Sequence, residues 1–186
     1  MTTTPVLIPV EEYLRTVYRP DRDYVDGEVI ERNMGETPHS GLQAFFAFYF
    51  RLHDEQWDIR VFTEQRLYIN PKRYRIPDVM VTSVATPYEP RIVHSPPLLC
   101  IEVLSSADRL SEVQQRMDDY FAIGVKATWV VDPWRGVAYI AGTQGKLLQV
   151  EDRLTVEGTQ IAITVAEIFA ELDRLEKRAA SRPPHE

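Results

Sequence analysis

Apolar residues recur at helical spacing between residues 42 and 50, where Leu42, Phe45, Phe46, Tyr49 and Phe50 share one face. That period predicts an amphipathic helix laid on a core. Ser40 and Gln43 form a capping-box pattern at its start, and the helix is expected to end near Gln56. Three runs of strand character follow, over Ile59 to Ile69, Ile76 to Thr82 and Leu98 to Leu104. The last is almost continuously apolar, as a strand buried on both faces should be. Pro71, Pro87, Pro90, Pro96 and Pro97 punctuate the loops between them. From Asp108 to Ile123 the helical period returns in Leu110, Val113, Met117, Tyr120 and Phe121, with Ser105 as its expected N-cap and Gly124 as its stop. Ala127 to Val131 then reads as another buried strand, halted at Asp132-Pro133.

The flanks carry their own signals. Tyr24 to Ile30 sets Asp26-Gly27 between two strand-like runs, the chemistry of a two-residue hairpin turn. Val137 to Ile140 and Leu147 to Val150 read as a strand pair turning at Gln144-Gly145. Thr164 and Glu167 form a second capping box, opening a helix through about Lys177. The expected fold is α/β, a restriction-endonuclease-like αβββαβ order around a mixed central sheet, with an N-terminal hairpin and a C-terminal helix. Its second core helix should be a crossover joining two parallel strands with right-handed connection. Ligands of such sheets gather at strand ends.

Length and composition narrow the picture. At 186 residues, without internal repeats, the chain is expected to form a single domain over 1–186, flexible at 1–5 and 180–186. The lone Cys100 sits in an apolar run and reads as a small buried side chain, so no disulfide or cysteine metal site is expected. With no leader-like N-terminus and no apolar stretch of the ~18 residues that span a bilayer, a cytoplasmic protein without membrane contact is expected. The net charge of −7 argues against coating nucleic acid non-specifically, but leaves room for a local basic groove.

Asp78 and Glu102 interrupt apolar strands, and burying either as an unpaired anion is costly. A shared divalent cation bound by hard oxygen ligands would relieve both. Equally open on spacing alone is an ordinary salt bridge from each to Arg73, Arg75 or Arg109.

Arg75-Ile76-Pro77-Asp78 followed by Pro97-Leu98-Leu99-Cys100-Ile101-Glu102-Val103-Leu104-Ser105 resembles the signature of the Uma-two family of "putative restriction endonucleases", within the PD-(D/E)XK nuclease superfamily. The resemblance extends through Tyr120, Gly124-Val125 and Trp129-Val130-Val131-Asp132-Pro133, and to Val25-Asp26-Gly27-Glu28, His39-Ser40 and Val165-Ala166-Glu167-Ile168-Phe169. It implies that Asp78 and Glu102 are metal ligands, with the Val103 carbonyl as a third, and that Glu64 is a further carboxylate of the site. Glu28 is a weaker candidate, reading more readily as a solvated hairpin residue. The implied cofactor is Mg2+, with Mn2+ able to substitute, and the implied partners are DNA and a second copy of the chain.

One departure matters. Where the superfamily has Lys two residues after the Glu, this chain has Leu104; the family pattern instead places a Lys in the following helix, at a position that is Arg116 here. A guanidinium does not give up its proton near neutrality, so Arg116 can orient phosphate or stabilise charge but cannot act as a base. Its bland alternative is an i,i+4 pair with Glu112 worth roughly 0.3–0.5 kcal/mol. His39 either approaches the site or merely begins a helix. Lys72, Arg73, Arg75 and Arg109 are the candidate phosphate contacts, the first three lying in the basic stretch from Arg66 to Arg75, which reads alternatively as a solvated loop.

The leading expectation is therefore a metal-dependent DNA endonuclease using Asp78, Glu102, Arg116 and Glu64. Its rival is a catalytically impaired relative that binds DNA or a protein partner. A structural domain with both carboxylates salt-bridged is a third reading.

Overall fold

A computed structural model describes residues 6–32, 35–142 and 146–180. The expected turn at Gln144-Gly145 and the end segments 1–5 and 181–186 lie outside the described residues.

A short helix, α1 (Val10–Arg15), leads to the hairpin of β1 (Asp23–Val25) and β2 (Glu28–Ile30). Asp26 and Gly27 take φ of 52° and 97°, the left-handed pair that lets so tight a turn follow the strand twist. α2 (Thr37–Leu52) buries Leu42, Phe46 and Phe50. It starts earlier than its expected box: Pro38 sits in the first turn, where a missing N–H costs nothing, and Gln43 is directed elsewhere. His53 leaves helical dihedrals, so a separate turn, α3 (Asp54–Trp57), completes what was expected as one helix.

The single strand expected from Ile59 to Ile69 is two strands in different sheets. β3 (Ile59–Thr63) ends at Glu64, whose φ of 52° is left-handed and swings the chain into β4 (Leu67–Asn70). β5 (Arg73–Arg75), in the stretch whose composition suggests a loop, pairs with both β1 and β4. β6 (Val79–Ser83) begins after Pro77, which has no N–H to give a ladder. Next come β7 (Leu99–Val103), α4 (Leu110–Ala122), β8 (Ala127–Asp132), β9 (Val137–Ala141) and β10 (Leu147–Val150). Arg109 rather than Ser105 is the residue that begins α4; the Ser105 N–H and Oγ instead donate to the Asp108 carboxylate at 2.7 and 2.8 Å. β11 (Arg153–Thr155) and β12 (Ala162–Thr164) form a small pair before α5 (Val165–Ala180).

The central sheet runs β10-β9-β8-β7-β6-β3, with only β7 and β8 parallel, joined through α4. The αβββαβ order is thus α2, β3, β6, β7, α4 and β8. A second sheet, β2-β1-β5-β4, interrupts it in sequence. Strand alternation divides the core. Val79, Val81, Leu99, Ile101, Val103, Trp129 and Val131 pack with α2 and Ile168 of α5, whereas Met80, Cys100 and Val130 meet Val113, Met117 and Tyr120 of α4. By the same period Glu102 points to the α4 face. Among the described residues no helix is long and apolar enough to cross a membrane.

The second capping box forms as its sequence implies. The Glu167 N–H donates to Thr164 Oγ1 at 3.2 Å, and the Glu167 carboxylate accepts from the Thr164 N–H at 2.9 Å. Thr164→Ala is expected to lower stability by about 1 kcal/mol in a urea titration, and an unchanged midpoint would mean that α5 is held by packing alone.

Candidate active site

Val79 and Ile101 are register partners across the antiparallel β6–β7 ladder, which sets Asp78 beside Glu102 at one end of the pair. Both carboxylates are buried, with 2 % and 3 % of their surfaces exposed. They line a cleft of about 420 Å³ with Arg32, His39, Val103, Asp108, Arg109 and Arg116. β2 delivers Arg32, the first turn of α2 delivers His39, and α4 delivers Arg116.

The contacts are specific. Asp78 Oδ1 accepts from the Arg32 guanidinium, and Oδ2 accepts from the Val103 N–H at 2.8 Å, with His39 Nε2 3.3 Å away. The Asp78 carbonyl accepts from Gln43 Nε2 at 3.1 Å. Glu102 Oε1 accepts from the Tyr120 hydroxyl at 2.6 Å, while Oε2 lies 3.1 Å from Arg116 Nε, an ion pair whose N–H is not aligned as a hydrogen bond. Arg116 also pairs with Asp108 at 2.9 Å. Arg116 and Tyr120 stand one helical turn apart, so α4 presents both to the same carboxylate.

These neighbours divide the two acids. Burial would raise the Asp78 pKa, but the His39 contact, the Arg32 charge and the Val103 N–H outweigh it and hold the group below the usual carboxylate value. Burial pushes Glu102 up to about 7; Arg116 opposes the shift and the charge on Asp78 adds to it. His39 is raised, since its contact with Asp78 overcomes burial. A pair of acids pushed apart in this way by their surroundings is a mark of functional sites.

Several expectations need correction. The salt-bridge partners are not Arg73, Arg75 or Arg109 but Arg32, His39 and Arg116. Arg116 pairs with Glu102 and Asp108, not Glu112, because its side chain folds inward over the sheet. Arg73 and Arg75 are taken up in internal pairs: Arg75 bonds Asp119 and Asp23 at 2.7 and 2.8 Å, and Arg73 bonds Asp119 at 2.7 Å and also Asp26. Of the four candidate phosphate contacts, only Lys72 and Arg109 are exposed, and only Arg109 and the buried Arg75 line the cleft. Glu64 is half-exposed and outside the cleft wall, 4.0 Å from Arg32 and 3.4 Å from Gln43. Glu28 is exposed on the hairpin and away from the cleft. Arg32, Gln43 and Asp108 were missed: Arg32 and Gln43 lie 46 and 35 positions from Asp78, only the capping pattern singled out Gln43, for a different role, and Asp108 reads in sequence only as the start of a helix.

Among the described residues no three His, Cys, Asp or Glu side chains are gathered for a metal ion. The donor set is therefore two carboxylates, which suits magnesium, an ion commonly held by one or two carboxylates while keeping several waters. Burial keeps Glu102 raised even beside Arg116 and Arg32, a cost that a bound cation would lower, and among the described residues His39 Nδ1 is buried with no hydrogen-bond partner. The residues fit a hard divalent cation.

A mixed sheet crossed by one parallel connection, with two acids at adjacent strand ends, is the architecture of a nuclease fold. Residues 10–166 match the family model Uma2, described as "Putative restriction endonuclease", and the chain belongs to that family. A crystal structure of a "putative nuclease" from Anabaena variabilis ATCC 29413 has the same fold, with a TM-score of 0.78 at 20% identity over 89% of this chain and 99% of that one. The DrdV-DNA complex, seen by cryo-electron microscopy, aligns with a TM-score of 0.40 at 13% identity over 76% of this chain and 12% of that chain. No curated protein matches the chain.

Proposed function

We propose that the chain is a magnesium-dependent endodeoxyribonuclease, acting as one domain, in which Asp78, Glu102 and the Val103 carbonyl hold the ion and Mn2+ can replace it. The observation that carries this reading is the side-by-side burial of Asp78 and Glu102 in the wall of a polar cleft, in a member of a restriction-endonuclease family. When bound, the ion would polarise the phosphate and lower the pKa of a coordinated water. The protein's part is to place and neutralise. Tyr120 and the Val103 N–H fix the two carboxylates in orientation. Arg116, held by Asp108, keeps a permanent positive charge beside Glu102, where it can stabilise a phosphate as negative charge develops.

A second reading, a nuclease-like protein that binds DNA or a protein without cutting, is favoured by Leu104 in the place of the superfamily lysine. The pKa of Arg116 is raised further by Glu102 and Asp108 against the effect of burial, so it cannot take a proton from water. Incubation with supercoiled, linear, single-stranded and branched DNA, with Mg2+, Mn2+ or EDTA, separates the two: metal-dependent fragments support cutting, and intact DNA on every substrate with folded protein supports the second reading. If the protein cuts, Arg116→Ala is expected to slow it by about 10²–10³-fold, the size seen when one preorganised stabiliser is lost, with metal affinity retained by calorimetry. An unchanged rate would remove Arg116 from the mechanism. Since one chain offers one such pair of acids, cutting both strands implies that two copies act together. A cytoplasmic location, where DNA and magnesium meet, goes with the same reading.

A further inference from the structure

Beside the cleft lies a second depression of about 470 Å³ that the chemistry above leaves unused. Arg15 at the end of α1, Arg19 just beyond it, Arg66 and Glu64 at the β3–β4 bend, and Arg91 form its wall. Arg66 is committed to the fold, paired with Asp21 at 2.6 Å and lying over the Tyr13 ring at 4.8 Å. Arg15, Arg19 and Arg91 are exposed, and none has an ion-pair partner among the described residues; Arg15 makes only a 3.0 Å bond to the Glu11 carbonyl. Arg66, Arg73 and Arg75, which serve the fold, are each tied to carboxylates. With Asp21 of the wall taken by Arg66 and Glu64 facing Arg32, three guanidiniums without ion-pair partners remain around one hollow, in a chain of net charge −7, and match a polyanion.

The hollow adjoins the site. Glu64 belongs to its wall and lies 4.0 Å from Arg32 and 3.4 Å from Gln43, and both of those touch Asp78.

We infer that this depression holds the phosphodiester backbone of duplex DNA flanking the cut, with Arg15, Arg19 and Arg91 each meeting a phosphate. The inference rests on the nuclease reading and moves the flanking contact away from the β4–β5 turn, where Arg73 and Arg75 are already engaged. A guanidinium fork suits phosphate oxygens, and such contacts set register without reading sequence.

The test is fluorescence anisotropy of a labelled duplex in EDTA, titrated at several salt concentrations. It compares the wild type with Arg15→Gln/Arg19→Gln/Arg91→Gln and with a control of equal charge change, Lys126→Gln/Arg135→Gln/Arg153→Gln. Each phosphate contact contributes about 0.9 to the slope of log affinity against log salt, so the first variant should lose about 2.7 of that slope. Its loss of affinity should be equal on unrelated sequences, with thermal unfolding unchanged, and the control should bind as the wild type does. Equal weakening by both variants overturns the inference, as does wild-type binding by the first, and either leaves the nuclease reading standing. A wild type that does not bind duplex at low salt overturns both.

Discussion

On the proposed reading, Asp78→Asn is expected to reduce DNA cleavage to background, a loss of at least about 10³-fold, because it would remove a ligand as well as the charge that the ion would balance. Asparagine keeps the shape and can still accept the Val103 N–H, so loss of activity with the fold retained would report on charge. The same change leaves Arg32 and His39 facing a neutral group. In EDTA the variant should therefore be less stable than the wild type at neutral pH. The sign follows from Asp78 being held below its usual value, burial being outweighed by His39, Arg32 and the Val103 N–H. Its contribution is fully present above the unfolded carboxylate pKa and is lost as pH falls through the folded one, so the two stability curves should converge in acid. Cleavage at the wild-type rate by the folded variant would sink the metal-ligand assignment. Calorimetric titration with Mg2+ gives an independent check, since binding heat should vanish with the side-chain charge.

Arg75→Met should cost about 3–5 kcal/mol of stability, the range for removing one partner of a buried ion pair. Arg75 is 3 % exposed and sits between Asp23 and Asp119, which are 4 % and 5 % exposed. Without it the Asp23 carboxylate retains only the Ile76 N–H at 3.0 Å, and Asp119 retains Arg73. These contacts tie β1, β5 and α4 together, so the loss would be felt by the whole second sheet. Urea denaturation at neutral pH measures it, and a change below about 1 kcal/mol would mean that water screens the cluster as it does a surface pair. The salt slope of DNA binding should not move, because this guanidinium is occupied within the fold.

The internal pairs of Arg73 and Arg75 show why charge in a sequence is hard to assign. Arg73 and Arg75 look like a basic patch before Asp78, yet strand alternation and the pairing of β5 with β1 turn them onto buried acids. Arg15, Arg19 and Arg91 are scattered through sequence and form a patch only because the end of α1, the β3–β4 bend and the β6–β7 loop meet. Linear clustering and spatial clustering are different properties, and only the second attracts a phosphate backbone.

What the sequence by itself determined was the framework. The periods of α2 and α4, the buried runs of β7 and β8, the Asp26-Gly27 turn and the Thr164–Glu167 cap that opens α5 are local patterns, and local patterns are written in contiguous residues. Asp78 and Glu102 were legible for the same reason, each being an acid set in an apolar run of sequence. Tertiary structure decided the rest. It broke Ile59–Ile69 at the left-handed Glu64 and sent the halves to separate sheets. It brought Arg32 to Asp78 across 46 positions and Gln43 across 35, and it turned Arg116 from a helix surface onto Glu102. Those outcomes depend on which faces pack together, and burial makes that choice over the whole chain at once rather than within any one segment.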